Sequence, residues 1–130
     1  MLNGEGILYH NDNGERFSRA RGQMVESLRE GGIYSTSLLQ SFAYVPRHLF
    51  VSEALRYRAY EDTSLPIGFG QTISRPSTIA HMLQVCDIRG NDRVLEVGTG
   101  SGYQAALIAG ICKNVTTCER LHDLHVRARQ

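Results

Sequence analysis

The stretch from Arg93 to Glu119 constrains this chain more than any other. It reads RVLEV, then GTGSG, then the apolar run YQAALIAGI, then NVTTCE. Val94, Leu95 and Val97, bounded by a polar turn over Asp87–Asp92 and by Gly98, predict a buried strand over 93–97. Gly98–Gly102 is too rich in glycine for a helix or strand and is expected to be a loop. The apolar run predicts a helix over 103–111. The β-branched NVTTCE predicts a second strand over 114–119, and a further helix starts at Leu121 and runs to Arg129. Strand, loop, helix, strand is a βαβ unit, which builds parallel sheets with a right-handed crossover. The expected fold class is therefore α/β and Rossmann-like. A single unit supplies two strands, which would leave both edges unpaired. The fold is thus expected to be incomplete at the C-terminus, as an N-terminal portion or as a domain that needs a partner.

The loop itself points to a ligand. Glycines at 98, 100 and 102 allow a tight turn and close approach to the backbone, and the next helix begins with unpaired N–H groups. Glu119 lies twenty-one positions past Gly98, where a carboxylate can accept hydrogen bonds from two vicinal ribose hydroxyls. A dinucleotide fingerprint would place its third glycine at 103, and this chain has Tyr103 there. GxGxG therefore fits a single nucleoside with an amino-acid tail, as in S-adenosylmethionine, better than NAD. Glu96, at the strand end, is read as a structural carboxylate bonded to the loop backbone, with an approach to the cofactor's amino group as the alternative.

Composition narrows the rest. In 130 residues, 42% are apolar and 21% charged, and the formal charge is +1. That is globular composition, with no excess of basic residues to suggest nucleic acid or an anionic membrane as partner. The longest apolar run, Ala105–Cys112, is too short to span a bilayer. The N-terminus has neither the basic start nor the apolar core of a secretory signal. Cys86, Cys112 and Cys118 form no CxxC and are expected to be reduced, mostly buried thiols of a cytoplasmic protein. His122 and His125 are read as a solvated helix face, and no metal site is expected.

Upstream, residues 1–16 hold few apolar anchors and are expected to be a flexible leader. Phe17, Ala20, Met24, Val25 and Leu28 recur at helical spacing, and Gly31-Gly32 ends that helix. A second helix fits Ser37–Tyr44 and stops before Pro46. VPRHLFV (45–51) with Ala54, Leu55, Tyr57 and Tyr60 reads as another short helical piece. Its Arg47 and His48 are read as a solvated corner, an anion site being the alternative. Asp62–Ser74, DTSLPIGFGQTIS, has no sustained period and is expected to be an ordered loop whose apolar side chains cover something. Pro76 then opens a helix. The expected organisation is a leader over 1–16 and one domain over 17–130, divided into a helical part (17–61), an active-site loop (62–74) and the start of a Rossmann-like core (75–130).

Two stretches together resemble the protein-L-isoaspartate O-methyltransferase family: LPIGFGQTIS with RPSTIAHML (Leu65–Leu83), and VLEVGTGSGYQAALIA (Val94–Ala109). VPRHLFV and AYED (Ala59–Asp62) also look like that family's upstream segment. The glycine loop is common to many methyltransferases; the GQTIS loop at this spacing is particular to this one. The resemblance implies a Rossmann-like enzyme that transfers a methyl group from S-adenosylmethionine, leaving S-adenosylhomocysteine, to the α-carboxyl of isoaspartyl residues in damaged proteins and peptides. It also implies a soluble, cytoplasmic protein-repair enzyme that is monomeric at full length. It assigns Ser74 as the active-site residue, with cofactor contacts from Thr72, Ile73 and Ser74. The glycine loop and the acid carry over to Gly98, Gly100, Gly102 and Glu119. Family members continue past this point with further strands, so the competing reading is a truncated module that binds S-adenosylmethionine without catalysis. Ser74 also lies two residues before Pro76, where it would serve as a helix cap.

Overall fold

The structure is a computed structural model that describes residues 12–130, with side chains from Gly14 onward. Helix α1 spans Asp12–Glu30. It begins five residues before Phe17, so part of the expected leader is helical; residues 1–11 of that leader lie outside the described residues. The apolar spacing marks only the packed length of the helix. Glu15 in its N-terminal region suits the positive end of the dipole. Met24, Val25 and Leu28 are buried. The helix ends where Gly32 turns left-handed (φ +99°) and Ile33 N–H bonds back to the Leu28 carbonyl.

Helix α2 (Thr36–Tyr44) starts on the Ser35 hydroxyl, which accepts from Leu38 N–H, and ends before Pro46. Two 3₁₀ turns follow, Arg47–Phe50 and Glu53–Arg58. The segment expected to be a loop, 62–74, instead carries an antiparallel hairpin, β1 (Leu65–Gly68) with β2 (Gln71–Ile73). Leu65, Ile67 and Ile73 are buried while Pro66, Gln71 and Thr72 face out. The segment has the period-2 alternation of a strand only over these few residues, and glycines break it at both ends of the turn.

Helix α3 (Pro76–Cys86) has proline in its first turn. Its Gln84 side chain binds the turn between α1 and α2 through Tyr34 N–H, Ser35 N–H and the Gly32 carbonyl. Strands β3 (Arg93–Val97) and β4 (Asn114–Cys118) pair in parallel, with α4 (Tyr103–Ala109) as the crossover and α5 (His122–Ala128) after β4. Helix α4 is two residues shorter than expected. It packs so closely on α2 that the Ser41 hydroxyl, bonded to the Leu107 carbonyl, leaves no room for a side chain on Gly110. Tyr103 is buried edge-on against Phe42 and Phe50.

Strand β3 is not buried on both faces as expected. Glu96 is buried and Val94 half-buried, while Leu95 and Val97 remain 65% and 81% exposed. A parallel sheet ordinarily has both faces covered; within these residues helices cover one. The cysteines also depart from expectation. Cys112 is buried, but Cys86 and Cys118 are exposed, because Cys86 ends a helix and Cys118 sits on the open face of β4. No helix among the described residues is long and apolar enough to cross a membrane.

Candidate functional site

The glycine loop is held by its own βαβ unit. Gly98 and Thr99 N–H both donate to the Cys118 carbonyl, at 2.8 and 3.1 Å, tying the end of β3 to the end of β4. Gly98 (φ +95°) and Gly100 (φ +55°) are left-handed, a conformation that favours glycine. Below the loop, the Thr99 and Thr117 hydroxyls lie 2.6 Å apart and Thr117 donates to the Glu96 carboxylate at 2.6 Å. Burial pushes the Glu96 carboxyl up, and hydrogen bonding to Thr117 and Gln104 opposes that shift. This carboxylate thus bonds to side chains under the loop.

Glu119 closes the unit. One carboxylate oxygen accepts from Leu121 N–H at 3.0 Å and the other from Gly100 N–H at 2.9 Å. These two backbone donors, Leu121 foremost, hold the Glu119 carboxyl below its usual range. It is therefore ionised at neutral pH, and each oxygen retains capacity to accept a further hydrogen bond.

The hairpin lies against this loop. A Cβ built on Gly100 would sit 3.5 Å from the Ile67 Cδ1. The hairpin turn, Gly68-Phe69-Gly70, is left-handed at all three residues, including the non-glycine Phe69 (φ +56°). Arg127 of α5 supports it: Nη1 donates to the Ile67 carbonyl at 2.8 Å, and the guanidinium stands 5.7 Å over the Phe69 ring. Between hairpin and loop opens a cleft of about 520 Å³, with Gln71 and Thr72 on one wall and Gly98, Gly100 and Glu119 on the other. A larger groove of about 820 Å³ lies on the far side of Ile67, walled by Leu49, Phe50, Leu55 and Leu124. It contains no carboxylate, so the smaller cleft has the better chemistry for a nucleoside.

Thr72, Gly98, Gly100 and Glu119 therefore line one cleft. The other expected site residues lie around it. Ile73 turns its side chain into the core. Gly102 lies on the other side of the loop, where an added Cβ would meet Ala128 and Phe50. Ser74 is exposed just past β2, and its hydroxyl has no hydrogen-bond partner among the described residues. Ser74 does not cap α3: the cap residue is Arg75, and the Asp62 carboxylate reaches back to accept from Ser77 N–H at 2.9 Å.

Sequence reasoning missed Gln71, Val97, Cys118 and Arg120 as cleft residues, whereas Ile67 of the apolar loop does line the cleft. The adjacency of Gln71 to Thr72 was the available signal. It also misplaced Arg47, which is fully buried rather than at a solvated corner. Arg47 Nε donates to the Ala59 carbonyl at 2.7 Å, and Nη2 to the Ser74 carbonyl at 2.8 Å and, less closely, the Thr63 carbonyl at 3.5 Å. Its guanidinium stacks 4.9 Å above the Tyr103 ring. Burial pulls its pKa down, partly offset by Tyr103, and an arginine remains protonated under these conditions. His48 beside it is half-buried, stacked on Phe17 and 2.8 Å from the Tyr60 hydroxyl.

The family profile described as Protein-L-isoaspartate(D-aspartate) O-methyltransferase matches residues 19–130. The chain belongs to this family. A Desulfosudis oleivorans protein-L-isoaspartate O-methyltransferase is 54% identical over 88% of this chain and 52% of its own length. Relatives of the same name from Stenotrophomonas maltophilia and, as protein-L-isoaspartate O-methyltransferase 1, from Marinobacter nauticus are 53% and 50% identical. The chain spans about half the length of the curated relatives it matches. Two solved structures agree with the fold. A protein-L-isoaspartate O-methyltransferase superposes with a TM-score of 0.75 at 28% identity, over 84% of this chain and 37% of that one. A Plasmodium falciparum protein described as a putative protein-L-isoaspartate O-methyltransferase, in complex with S-adenosyl-L-homocysteine, superposes at 0.71 with 26% identity, over 84% and 53%. The fold is that of a Rossmann-like methyltransferase, here represented by helices α1 to α3, the hairpin and one βαβ unit.

Proposed function

We propose that this chain carries the cofactor cleft and the substrate loop of an enzyme that methylates the α-carboxyl of isoaspartyl residues in damaged proteins and peptides. The observation that carries the reading is the cleft itself: a hairpin bearing the family's GQTIS loop faces a glycine cradle and an ionised carboxylate across about 520 Å³. The residues suit S-adenosylmethionine. An added Cβ on Gly98 would meet only open space, so the loop backbone is free for a ligand to approach. In the proposed roles, Gly98, Gly100 and Gly102 form the turn that cradles the nucleoside, and Glu119 accepts from the ribose hydroxyls. Thr72 contacts the cofactor with its side chain from the hairpin side, and Ile73 and Ser74 through their backbone. When bound, S-adenosylmethionine supplies a methyl group on a positively charged sulfur.

The acceptor carboxylate is already ionised at neutral pH, so the chain needs no general base. What remains is alignment and exclusion of water, and alignment alone can lower a barrier by several kcal/mol. Ser74, with an exposed hydroxyl just past β2, is assigned to orient the carboxylate by donating a hydrogen bond. Membership of the family supports an isoaspartyl polypeptide as partner, for a cytoplasmic enzyme acting as a monomer, and the formal charge of +1 gives no reason to add nucleic acid or membrane. The competing reading, a module that binds the cofactor and catalyses nothing, draws on the span of about half the relatives' length.

Radiolabelled methyl transfer to an isoaspartyl peptide separates the two. Methylation of that peptide, and not of its aspartyl counterpart, is the expected result for the protein at the length of its relatives. Binding of S-adenosylhomocysteine without methyl transfer at either length would leave only the binding module. Ser74→Ala should lower kcat by roughly tenfold, the value of one hydrogen bond made in the reaction, with S-adenosylhomocysteine affinity nearly unchanged.

A further inference from the structure

Arg47 is the one fully buried charged side chain among the described residues, and no carboxylate lies within ion-pair distance of it. Replacing such a group by an apolar side chain of similar size is often neutral or stabilising, so burial of this kind is poorly explained by stability alone. Its hydrogen bonds suggest another reason. The guanidinium fork collects carbonyls from three points that lead into and out of the hairpin: Ala59 and Thr63 before β1, and Ser74 just after β2. Its flat face rests on Tyr103, the first residue of the helix that follows the glycine loop. One side chain therefore spans from the backbone of Ser74 to the helix that begins at the cofactor cradle.

We infer that Arg47 is a positioning residue for methyl transfer, holding the Ser74 backbone at a set distance from the glycine-loop helix. This rests on the assignment of Ser74 made above. A planar guanidinium has the shape for this, because its donors leave in fixed directions and its face is free to stack. Lysine offers a point charge that cannot serve Ala59 and Ser74 in the same plane while lying flat on Tyr103. The other polar atoms around Arg47 fit the inference. Its Nη1 and the Tyr103 hydroxyl are both buried without partners, so the carbonyl contacts and the ring carry the placement.

The test uses Arg47→Lys and Arg47→Met in the catalytically active protein, with Ser74→Ala and the double variant Arg47→Lys/Ser74→Ala. Thermal unfolding, S-adenosylhomocysteine affinity, and kcat and KM for an isoaspartyl peptide are measured on each. The expected result is a loss of kcat in Arg47→Lys of roughly five- to tenfold, no larger than that of Ser74→Ala, with S-adenosylhomocysteine affinity within about threefold of the parent. Misplacement of Ser74 acts on the reacting geometry more than on nucleoside binding. Arg47→Met buries no charge and keeps the core filled, so it provides a folded variant if lysine is not accommodated; its kcat should fall by a similar factor. In the Ser74→Ala background, Arg47→Lys should lower kcat by less than about threefold further, because the group it positions is already gone. Equal kcat in folded Arg47→Lys or Arg47→Met and parent would overturn the inference, as would fully additive losses in the double variant. If Ser74→Ala itself leaves kcat unchanged, the Ser74 assignment fails and the Arg47 inference falls with it. If Ser74→Ala is impaired while the Arg47 variants are not, only the Arg47 inference fails.

Discussion

The glycine loop and the β1–β2 hairpin face each other across one cleft, both with left-handed turns, yet they are built in different ways. The loop is held by neighbours in its own βαβ unit: the Cys118 carbonyl, the Thr117 hydroxyl and the Glu119 carboxylate, all within about twenty residues. The hairpin is two short strands held from far away. Arg47 holds the Ser74 carbonyl from twenty-seven residues upstream, and Arg127 holds the Ile67 carbonyl from sixty residues downstream. The cofactor side thus assembles as one local unit, whereas the hairpin takes its place only when two other elements have docked. Segments supported by few local bonds open more readily than the units they pack on. The hairpin is therefore expected to be the more adjustable wall of the cleft.

The most damaging way to break this contrast is Gly100→Val. A branched side chain at φ +55° is strained whatever the space, and its Cβ alone would already stand in van der Waals contact with Ile67, 3.5 Å away. We expect S-adenosylhomocysteine affinity, measured by calorimetry, to fall at least about a hundredfold. Normal binding would mean that the loop does not cradle the cofactor.

Glu119→Ala should weaken binding on the order of tenfold, since it removes both an ionised acceptor and the tie between Gly100 and Leu121. The pH dependence has a definite sign. Because the folded Glu119 carboxyl is held below its usual range, its contribution is fully present at and above that range. The contribution is lost only as pH falls below it. Binding of S-adenosylhomocysteine should therefore be flat through neutral pH, and a fall between pH 6 and 8 absent from Glu119→Ala would contradict the placement.

Arg127→Leu sharpens the comparison directly. Losing the bond to Ile67 should lower stability by about 1 kcal/mol. Hydrogen exchange should speed up at hairpin amides while β3 and β4 amides stay protected. Equal loosening of both regions would show that the hairpin is not separately held.

Glu96→Gln should have the smallest effect. Burial raises the Glu96 carboxyl above its usual range, so its ionisation opposes folding. The stability tied to its neutral form is complete below the ordinary carboxylate pKa and is lost as pH rises through the raised value. Glutamine still accepts from Thr117 and carries no charge. The variant should match or slightly exceed the parent at neutral pH, by less than about 1 kcal/mol, with a flatter profile in urea denaturation across mildly acidic pH. A large loss would mean that the ionised carboxylate, rather than its shape, supports the loop.

The sequence by itself determined the βαβ unit, its glycine loop and the position of Glu119. Those features follow from periodicity, glycine placement and spacing within one short stretch, and the bonds that realise them close within the same stretch. Through the likeness of LPIGFGQTIS to one family it also pointed to Thr72, which lines the cleft, and to Ser74, which stands exposed just past β2. Only the tertiary structure decided that this segment is a hairpin, because its strands are too short to show a period and its support comes from Arg47 and Arg127. The same is true of Arg47, whose burial no local pattern encodes. A guanidinium enters a core when carbonyls from separate segments converge on it, here Ala59, Thr63 and Ser74. The open face of β3 has a related origin. Leu95 and Val97 read as buried from composition, but burial depends on which elements lie opposite a residue, and within residues 12–130 none covers that face.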